Sequence, residues 1–296
     1  MLQQLSGIIP PLTTPFTAEG DVYEDGLERL VEFQVEKGVH GLFICGTYGS
    51  GPLMTIQQRQ RVHEIVQQQA RGRVTIVAHV GAASTEQSVD LAQHAASVGI
   101  PYVSSISPFY YHHDDRTLVE YFRTLVQAVD VPVYVYNNPK ASGINVTPGL
   151  LRRLGDAGVR GIKDSGFSFI DLTHLMLAME DRPDFQFVVG TEGIALPAWM
   201  VGARGCVSGL ANAFPEIMVE LWDLFQAKEY EKAAQLQLKV NKARQMLHIP
   251  SSTNAACYAA LHARGIDVGY PKAPVLPVEE QKGAEMVAAF RQLGLL

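Results

Sequence analysis

The chain has no apolar run of the roughly 18 to 20 residues that a membrane span requires. Its first residues, Met1-Leu2-Gln3-Gln4-Leu5, also lack the charged and apolar regions of a signal peptide. A cytoplasmic protein is expected. Cysteine is scarce: Cys45, Cys206 and Cys257 are odd in number, widely spaced and set among apolar neighbours. That pattern speaks against a disulfide frame or a zinc site and suits reduced thiols. Basic charge is short too, with 24 lysines and arginines against 30 acidic residues for a net charge of -6. No basic cluster is interleaved with aromatics, which argues against nucleic acid as the main partner. Charged residues make up only 18% of the 296 positions and hydrophobic ones 47%. Such a chain is globular rather than disordered and falls within the range of one α/β barrel.

What is present is a unit repeated along the chain. Apolar, β-rich runs occur at Gly7 to Pro11, Gly41 to Cys45, Val74 to Val80, Tyr102 to Ile106, Val131 to Tyr136, Val159 to Lys163, Phe185 to Val189 and Gly205 to Ser208. Helical spacing separates the earlier runs, as in Asp25 to Lys37, Ile56 to Ala70, Thr85 to Val98, Thr117 to Ala128 and Pro148 to Ala157. The strands show no clear polar alternation, as expected where both faces are buried, and strand alternating with helix implies parallel strands joined by right-handed crossovers. Eight such units close into a (β/α)8 TIM barrel, here residues 1–215. Beyond Pro215 the pattern is helical only, over Glu216 to Ala243, Asn254 to Arg264 and Glu279 to Leu293. Residues 216–296 are therefore expected to form a C-terminal helical domain.

Active sites of such barrels lie at the strand ends. Lys163 ends the sixth strand in Gly161-Ile162-Lys163-Asp164-Ser165, where a short apolar run delivers a lone lysine to a polar turn. Away from water an amine loses part of its affinity for the proton and becomes a nucleophile towards carbonyls, giving an imine. The bland alternative is a lysine paired with Asp164. Strand two ends in Gly46-Thr47-Tyr48-Gly49-Ser50-Gly51-Pro52, where glycines would let the backbone turn tightly and offer amides and hydroxyls to a carboxylate. Tyr110 follows strand four and Tyr136 ends strand five, both able to carry a proton for imine chemistry or simply to pack. His79 ends strand three and could be a general base, although a histidine satisfied by backbone is the expected reading. Glu192 and Ser208, after strands seven and eight, could bind a polyol or cap the next helices. His112 and His113 form no evident metal set, because adjacent residues point apart and lack partners.

The succession Gly46-Thr47-Tyr48-Gly49, Tyr110, Tyr136-Asn137-x-Pro139 and Gly161-Ile162-Lys163-Asp164-Ser165 resembles the dihydrodipicolinate synthase / N-acetylneuraminate lyase family of class I aldolases. The resemblance covers nearly the whole chain from Gly7 onward. It implies a barrel with a helical extension, usually assembled as a homotetramer built from two dimers, that condenses or cleaves pyruvate through a lysine imine. It implies further that Lys163 forms the imine, Tyr136 shuttles the proton, and Thr47 with the amide of Tyr48 holds the pyruvate carboxylate. Tyr110 resembles a tyrosine that completes the relay across a dimer interface, and backbone near Gly190 and Val207 would line the imine side. No cofactor or metal is implied.

Departures from the family pattern point to a branch. The synthase branch usually places an arginine two residues after the proline of Tyr-Asn-x-Pro, and this chain has Ala141 there. Gly49-Ser50-Gly51-Pro52 is closer to aldolases that act on 2-keto-3-deoxygluconate, and Glu192 falls where sialic acid lyases place an acidic residue on the sugar hydroxyls. The expectation is a lyase that cleaves a 2-keto-3-deoxy sugar acid to pyruvate and an aldehyde, or runs the reverse condensation. A dehydratase on the same imine and 4-hydroxy-tetrahydrodipicolinate synthase are the enzymatic alternatives. A small-molecule sensor on a relict barrel is the non-enzymatic one, and keeping both Lys163 and Tyr136 argues against it.

Overall fold

Strands that are apolar on both faces must be covered twice, once by their own closure into a barrel and once by helices outside it. The computed structural model, which describes residues 5–296, does both. The strands are β1 (Gly7–Ile8), β2 (Gly41–Ile44), β3 (Thr75–His79), β4 (Tyr102–Ile106), β5 (Val133–Asn137), β6 (Gly161–Asp164), β7 (Gln186–Val189) and β8 (Gly205–Cys206). They pair in parallel in the order β1-β8-β7-β6-β5-β4-β3-β2. Hydrogen bonds from His40 N to Ile8 O (2.9 Å) and from Phe43 N to Pro10 O (2.9 Å) close the remaining seam. The outer ring begins with α1 (Glu24–Glu36), α2 (Ile56–Ala70), α3 (Thr85–Ser97) and α4 (Asp115–Ala128). It continues with the short α5 (Pro139–Ser142), then α6 (Pro148–Asp156), α7 (Phe169–Leu177) and α8 (Ala195–Met200). Ser, Thr or Asp N-caps start five of these, Thr55 with a full capping box and Ser84, Asp114, Thr147 and Ser168 by a side-chain bond alone.

Side-chain alternation divides the core into two layers. Ile9, Phe43, Val77, Tyr134, Tyr136, Val188 and Val207 fill the barrel interior. Their strand neighbours Leu42, Ile44, Ile76, Val135, Ile162 and Val189 face the helices. The same alternation decides where Lys163 points. It is one residue on from the outward Ile162, and its register partners are Tyr136 on β5 and Val188 on β7, both interior. The lysine thus occupies a position in the interior layer, 5% exposed.

Two boundaries differ from the sequence expectation. β1 stops at Ile8 rather than at residue 11, because Pro10 and Pro11 have no N–H to give the ladder. The helix read as Glu216 to Ala243 is two helices, α9 (Pro215–Gln226) and α10 (Tyr230–Met246), broken at Lys228 with φ 61°. They are followed by α11 (Thr253–Ala263) and α12 (Glu280–Gln292). α9 packs on β1 and α8 and completes the helical ring, while α10, α11 and α12 pack beyond it. We propose that residues 216–296 serve the barrel wall with their first helix and form a separate layer from α10 onward. No helix among the described residues is long and apolar enough to cross a membrane. The reading of Met1–Gln4 as free of a signal peptide lies outside the described residues.

Candidate active site

The strand ends surround a cavity of about 380 Å³ whose floor holds Lys163 and Tyr136. Lys163 Nζ lies 3.7 Å from the centre of the Phe43 ring and 3.8 Å from that of Tyr136, held between two aromatic walls. Burial, the largest influence, holds its amine below the ordinary lysine value, and Tyr136 pulls it partly back. Asp164 does not pair with it. Successive strand residues point to opposite faces, and the Asp164 carboxylate accepts from Asn137 Nδ2 at 2.7 Å and from the Gly166 amide at 3.3 Å. Among the described residues no carboxylate forms an ion pair with Lys163, so only Tyr136 and, more weakly, Cys206 oppose the desolvation.

Tyr136 Oη accepts from Asn138 Nδ2 at 2.9 Å and lies 3.3 Å from Thr47 Oγ1. Burial would raise the phenol, yet the Lys163 charge and the hydrogen bonds of Thr47, Asn138 and Ser165 together outweigh it and hold the phenol below its ordinary value. The amine and the phenol are thus both held below their ordinary values in contact with one another, a pairing of the kind that marks a site able to move a proton. His79 stacks edge-on against Tyr136 with ring centres 5.7 Å apart. Both its nitrogens are taken by backbone, Nδ1 by Cys45 O at 3.1 Å and Nε2 by the Ile106 amide at 3.3 Å. Burial, then the charges of Arg59 and Lys163, push its value well down, so it is a neutral packing ring.

The loop after β2 is shaped differently from the expectation. Its left-handed residues are Cys45 (φ 57°) and Ser50 (φ 56°), and its glycines serve close approach instead. A Cβ on Gly51 would sit 1.8 Å from Cys45 O, and one on Gly49 would sit 2.8 Å from Leu12 O. Thr47 and the half-buried Tyr48 line the cavity, and burial raises the Tyr48 phenol. Across the cavity stand Gly190, Glu192 and Val207. Gly190 is obligatory: its N–H donates to Asp164 O at 2.6 Å, and a Cβ there would meet Ser165 Oγ at 2.0 Å.

Two expected site residues lie elsewhere. Ser208 does not reach the cavity. It is fully buried behind Glu192, donating to Glu192 Oε2 at 3.2 Å and accepting from the Ala211 amide at 3.3 Å. Tyr110 is 88% exposed at φ 87°, stacked on Tyr111 outside the cavity of its own chain. Beyond it in the same loop, His112 is exposed and stands apart from the cavity as well.

Several cavity residues were not anticipated. Arg244 and His248 come from α10 and the turn after it, and Thr253 opens α11. Arg244 Nε is 3.4 Å from Glu192 Oε1, and its guanidinium lies 5.7 Å from the Phe167 ring centre. The extension also fixes the loops of the barrel. Asn254 Nδ2 donates to Tyr48 O at 2.8 Å, and Gln237 Nε2 donates to Glu192 O at 2.8 Å. No sequence signal marks these residues, because helix periodicity says nothing about where a docked helix overhangs the barrel mouth. Asn138 is different: a polar residue beside Tyr136, in the variable place of the Tyr-Asn-x-Pro motif, could have been singled out.

A parallel eight-stranded barrel with a desolvated lysine facing a tyrosine in its mouth is the architecture of a lysine-dependent barrel enzyme. The chain belongs to the Dihydrodipicolinate synthetase family, which it matches over residues 4–293. It is 36% identical over 293 residues to an uncharacterised DapA-like lyase of Halobacterium salinarum, covering 99% of this chain and 95% of that one. It is 31% identical over 291 residues to the 4-hydroxy-tetrahydrodipicolinate synthase of Phenylobacterium zucineum, covering 98% of each. The prophage protein YagE of E. coli K12, solved in complex with pyruvate, superposes with a TM-score of 0.95 at 26% identity, covering 99% of this chain and all of that one. Members of this family make or break carbon–carbon bonds with pyruvate, and the chain is a pyruvate-dependent class I aldolase or lyase.

Proposed function

We propose that the protein cleaves a 2-keto-3-deoxy sugar acid to pyruvate and a hydroxyaldehyde, or joins the two, without cofactor or metal. Lys163 Nζ adds to the keto carbon and water leaves, forming an imine. The protonated imine withdraws the electron pair of the bond that breaks, while Tyr136 takes the proton of the substrate hydroxyl that becomes the aldehyde. The enamine left on Lys163 is protonated at carbon and hydrolysed to pyruvate. Thr47 and the Tyr48 amide bind the pyruvate carboxylate, and Glu192 meets a hydroxyl of the aldehyde half. Tyr110 completes the relay of a neighbouring copy in a homotetramer, and the buried thiols Cys45, Cys206 and Cys257 suit a cytoplasmic location.

The observation that carries the sugar-acid reading is that Ala141 and Glu192 line the aldehyde side of the cavity, a methyl and a carboxylate where a carboxylate-bearing aldehyde would need a cation. One observation favours the synthase reading: Lys140 and Arg244 line the same side, and Lys140 lies over the Phe167 ring at 4.9 Å. Arg244 is already opposite Glu192, which leaves Lys140 as the freer charge. The two readings separate in kcat/KM for glyceraldehyde against aspartate semialdehyde at matched pyruvate. Glyceraldehyde should win by about tenfold or more, since no bidentate arginine clamp awaits the second carboxylate. The reverse order assigns the synthase activity.

A further inference from the structure

We infer that Asn138 is a positioning residue of the proton relay, its side-chain amide holding the phenolic oxygen of Tyr136 as a hydrogen-bond acceptor facing Lys163. The inference rests on the imine and tyrosine chemistry proposed above. Four features of the structure carry it.

The first is the contact itself, 2.9 Å from Nδ2 to Oη, shorter than the 3.3 Å from Thr47 Oγ1 to the same oxygen. An amide N–H can only donate, so it occupies a lone pair of the phenol oxygen. The phenol hydrogen, or the incoming proton, is then directed to the remaining side, shared by Thr47 at 3.3 Å and Ser165, while Lys163 Nζ lies 3.8 Å from the centre of the same ring.

The second is what the side chain forgoes. Asn138 stands at the N-cap of α5, where asparagine commonly accepts from the first amides of the helix. It makes no such bond. Its amide is turned to the cavity instead, which it lines.

The third is the rigidity of its backbone. Pro139 follows and disfavours the helical region for Asn138, which is observed at φ -142° and ψ 80°. Its carbonyl accepts from the amides of Ala141 and Ser142, both at 3.0 Å, and from Ser142 Oγ at 3.1 Å. With both neighbours pinned, the amide meets Oη from a fixed direction, as a preorganised donor must.

The fourth is division of labour. Asn137, the preceding residue, points away from the cavity and binds Asp164 and the Val146 amide, so the two asparagines do different things. No proton of Asn138 is transferred at any step. The amide stabilises whichever state of Tyr136 carries more negative charge, which is the state that receives the substrate proton.

The test reads exchange of the pyruvate methyl hydrogens with deuterated water by NMR, which needs the imine and a base but no aldehyde. Borohydride trapping of pyruvate on Lys163 runs in parallel, as a check that the site is assembled. In the wild-type enzyme both should be seen; absence of the adduct would refute the imine reading and this inference with it. Asn138→Leu keeps the shape and removes the donor. Its adduct should form as in wild type, while exchange slows by about tenfold and its rising pH limb moves to higher pH by about one unit. The sign follows because a phenolate with one donor fewer holds its proton more tightly. Asn138→Asp should slow exchange further, since a carboxylate repels the phenolate. Unchanged exchange in Asn138→Leu, a slower rate with the pH limb unmoved, or wild-type behaviour in Asn138→Asp would each overturn the inference. If Asn138→Leu is unfolded, Asn138→Asp alone decides.

Discussion

At the scale of single residues, Lys163 is held in conditions that favour reaction over stability. An ammonium buried between two aromatic rings has gained no carboxylate, and the Tyr136 phenol compensates only in part for the burial, so the folded state holds its proton less tightly. The folded lysine thus binds a proton more weakly than the unfolded one, and folding is penalised at pH below the folded value. That penalty fades as pH rises through the interval between the folded and unfolded values and is gone above the latter, about 10.4. Lys163→Met keeps the volume and removes the charge. It should raise the melting temperature at pH 7 by roughly 2 °C or more and lose that advantage near pH 10.5. Thermal melts of both proteins at the two pH values decide it, and a variant less stable than wild type at pH 7 would show that the ammonium is well solvated where it stands. How much of this was legible in the sequence depends on the residue. Lys163 and Tyr136 each have a bland reading when taken alone, pairing with Asp164 or packing, and stand out only because both fall at strand ends within one succession of motifs. Ser208 does not, since nothing in Cys206-Val207-Ser208-Gly209 tells whether a hydroxyl faces the cavity or the back of Glu192.

At the scale of elements, the parallel strands were legible because burial on both faces leaves a plain apolar run, and their order followed from alternation with helices. Their ends were less so. Prolines shortened β1, and a left-handed residue, Lys228, divided one expected helix into two. The glycines after β2 show a more general limit: sequence suggests a turn, and only the fold reveals that Gly49 and Gly51 are there because backbone carbonyls press on them. Gly190 follows the same logic and makes it testable. It follows β7 directly, one step beyond the last register pair of Val189 with Asp164 on β6. A methyl group there meets Ser165 Oγ and the Asp164 carbonyl, the latter at 2.9 Å and unable to rotate away. Gly190→Ala must therefore part the two strands beside Lys163. It should cost about 1–3 kcal/mol of stability, as overpacking does, and lower kcat at least tenfold. Gly193→Ala, where the nearest atom is 3.5 Å away, is the control and should stay within about 0.5 kcal/mol. Equal effects in the two would mean that the close approach of β6 and β7 relaxes at no cost.

At the scale of the whole molecule, the site is built by two layers of one chain. The barrel supplies Lys163, Tyr136 and Thr47, while the helices from α10 onward supply Arg244 and Thr253 and hold the loops of Tyr48 and Glu192 in place. That dependence was hidden in the sequence, where the extension reads as ordinary amphipathic helix. A second copy is the remaining candidate contributor. Tyr110 and Tyr111 stand 88% and 69% exposed at the end of β4, a pair of large aromatic rings presented to solvent on a backbone with φ 87° at Tyr110. Aromatic residues of this kind are enriched at interfaces because a ring buries much area while its hydroxyl keeps a partner. If the proposed assembly sets Tyr110 against a neighbour's relay, two properties of Tyr110→Phe should separate. Losing the hydroxyl leaves the apolar ring, so sedimentation velocity should show the same oligomer as wild type from micromolar to nanomolar concentration. The relay loses a proton carrier that water can partly replace, so kcat should fall by about tenfold, less than the 10² or more typical of a primary proton-transfer group. Activity per chain of the wild type should also fall on dilution wherever sedimentation shows dissociation, because a separated chain has Tyr110 outside its own cavity. A wild type that is monomeric and fully active, with Tyr110→Phe at normal kcat, would confine the whole relay to one chain and leave Asn138, Thr47 and Tyr136 to perform it.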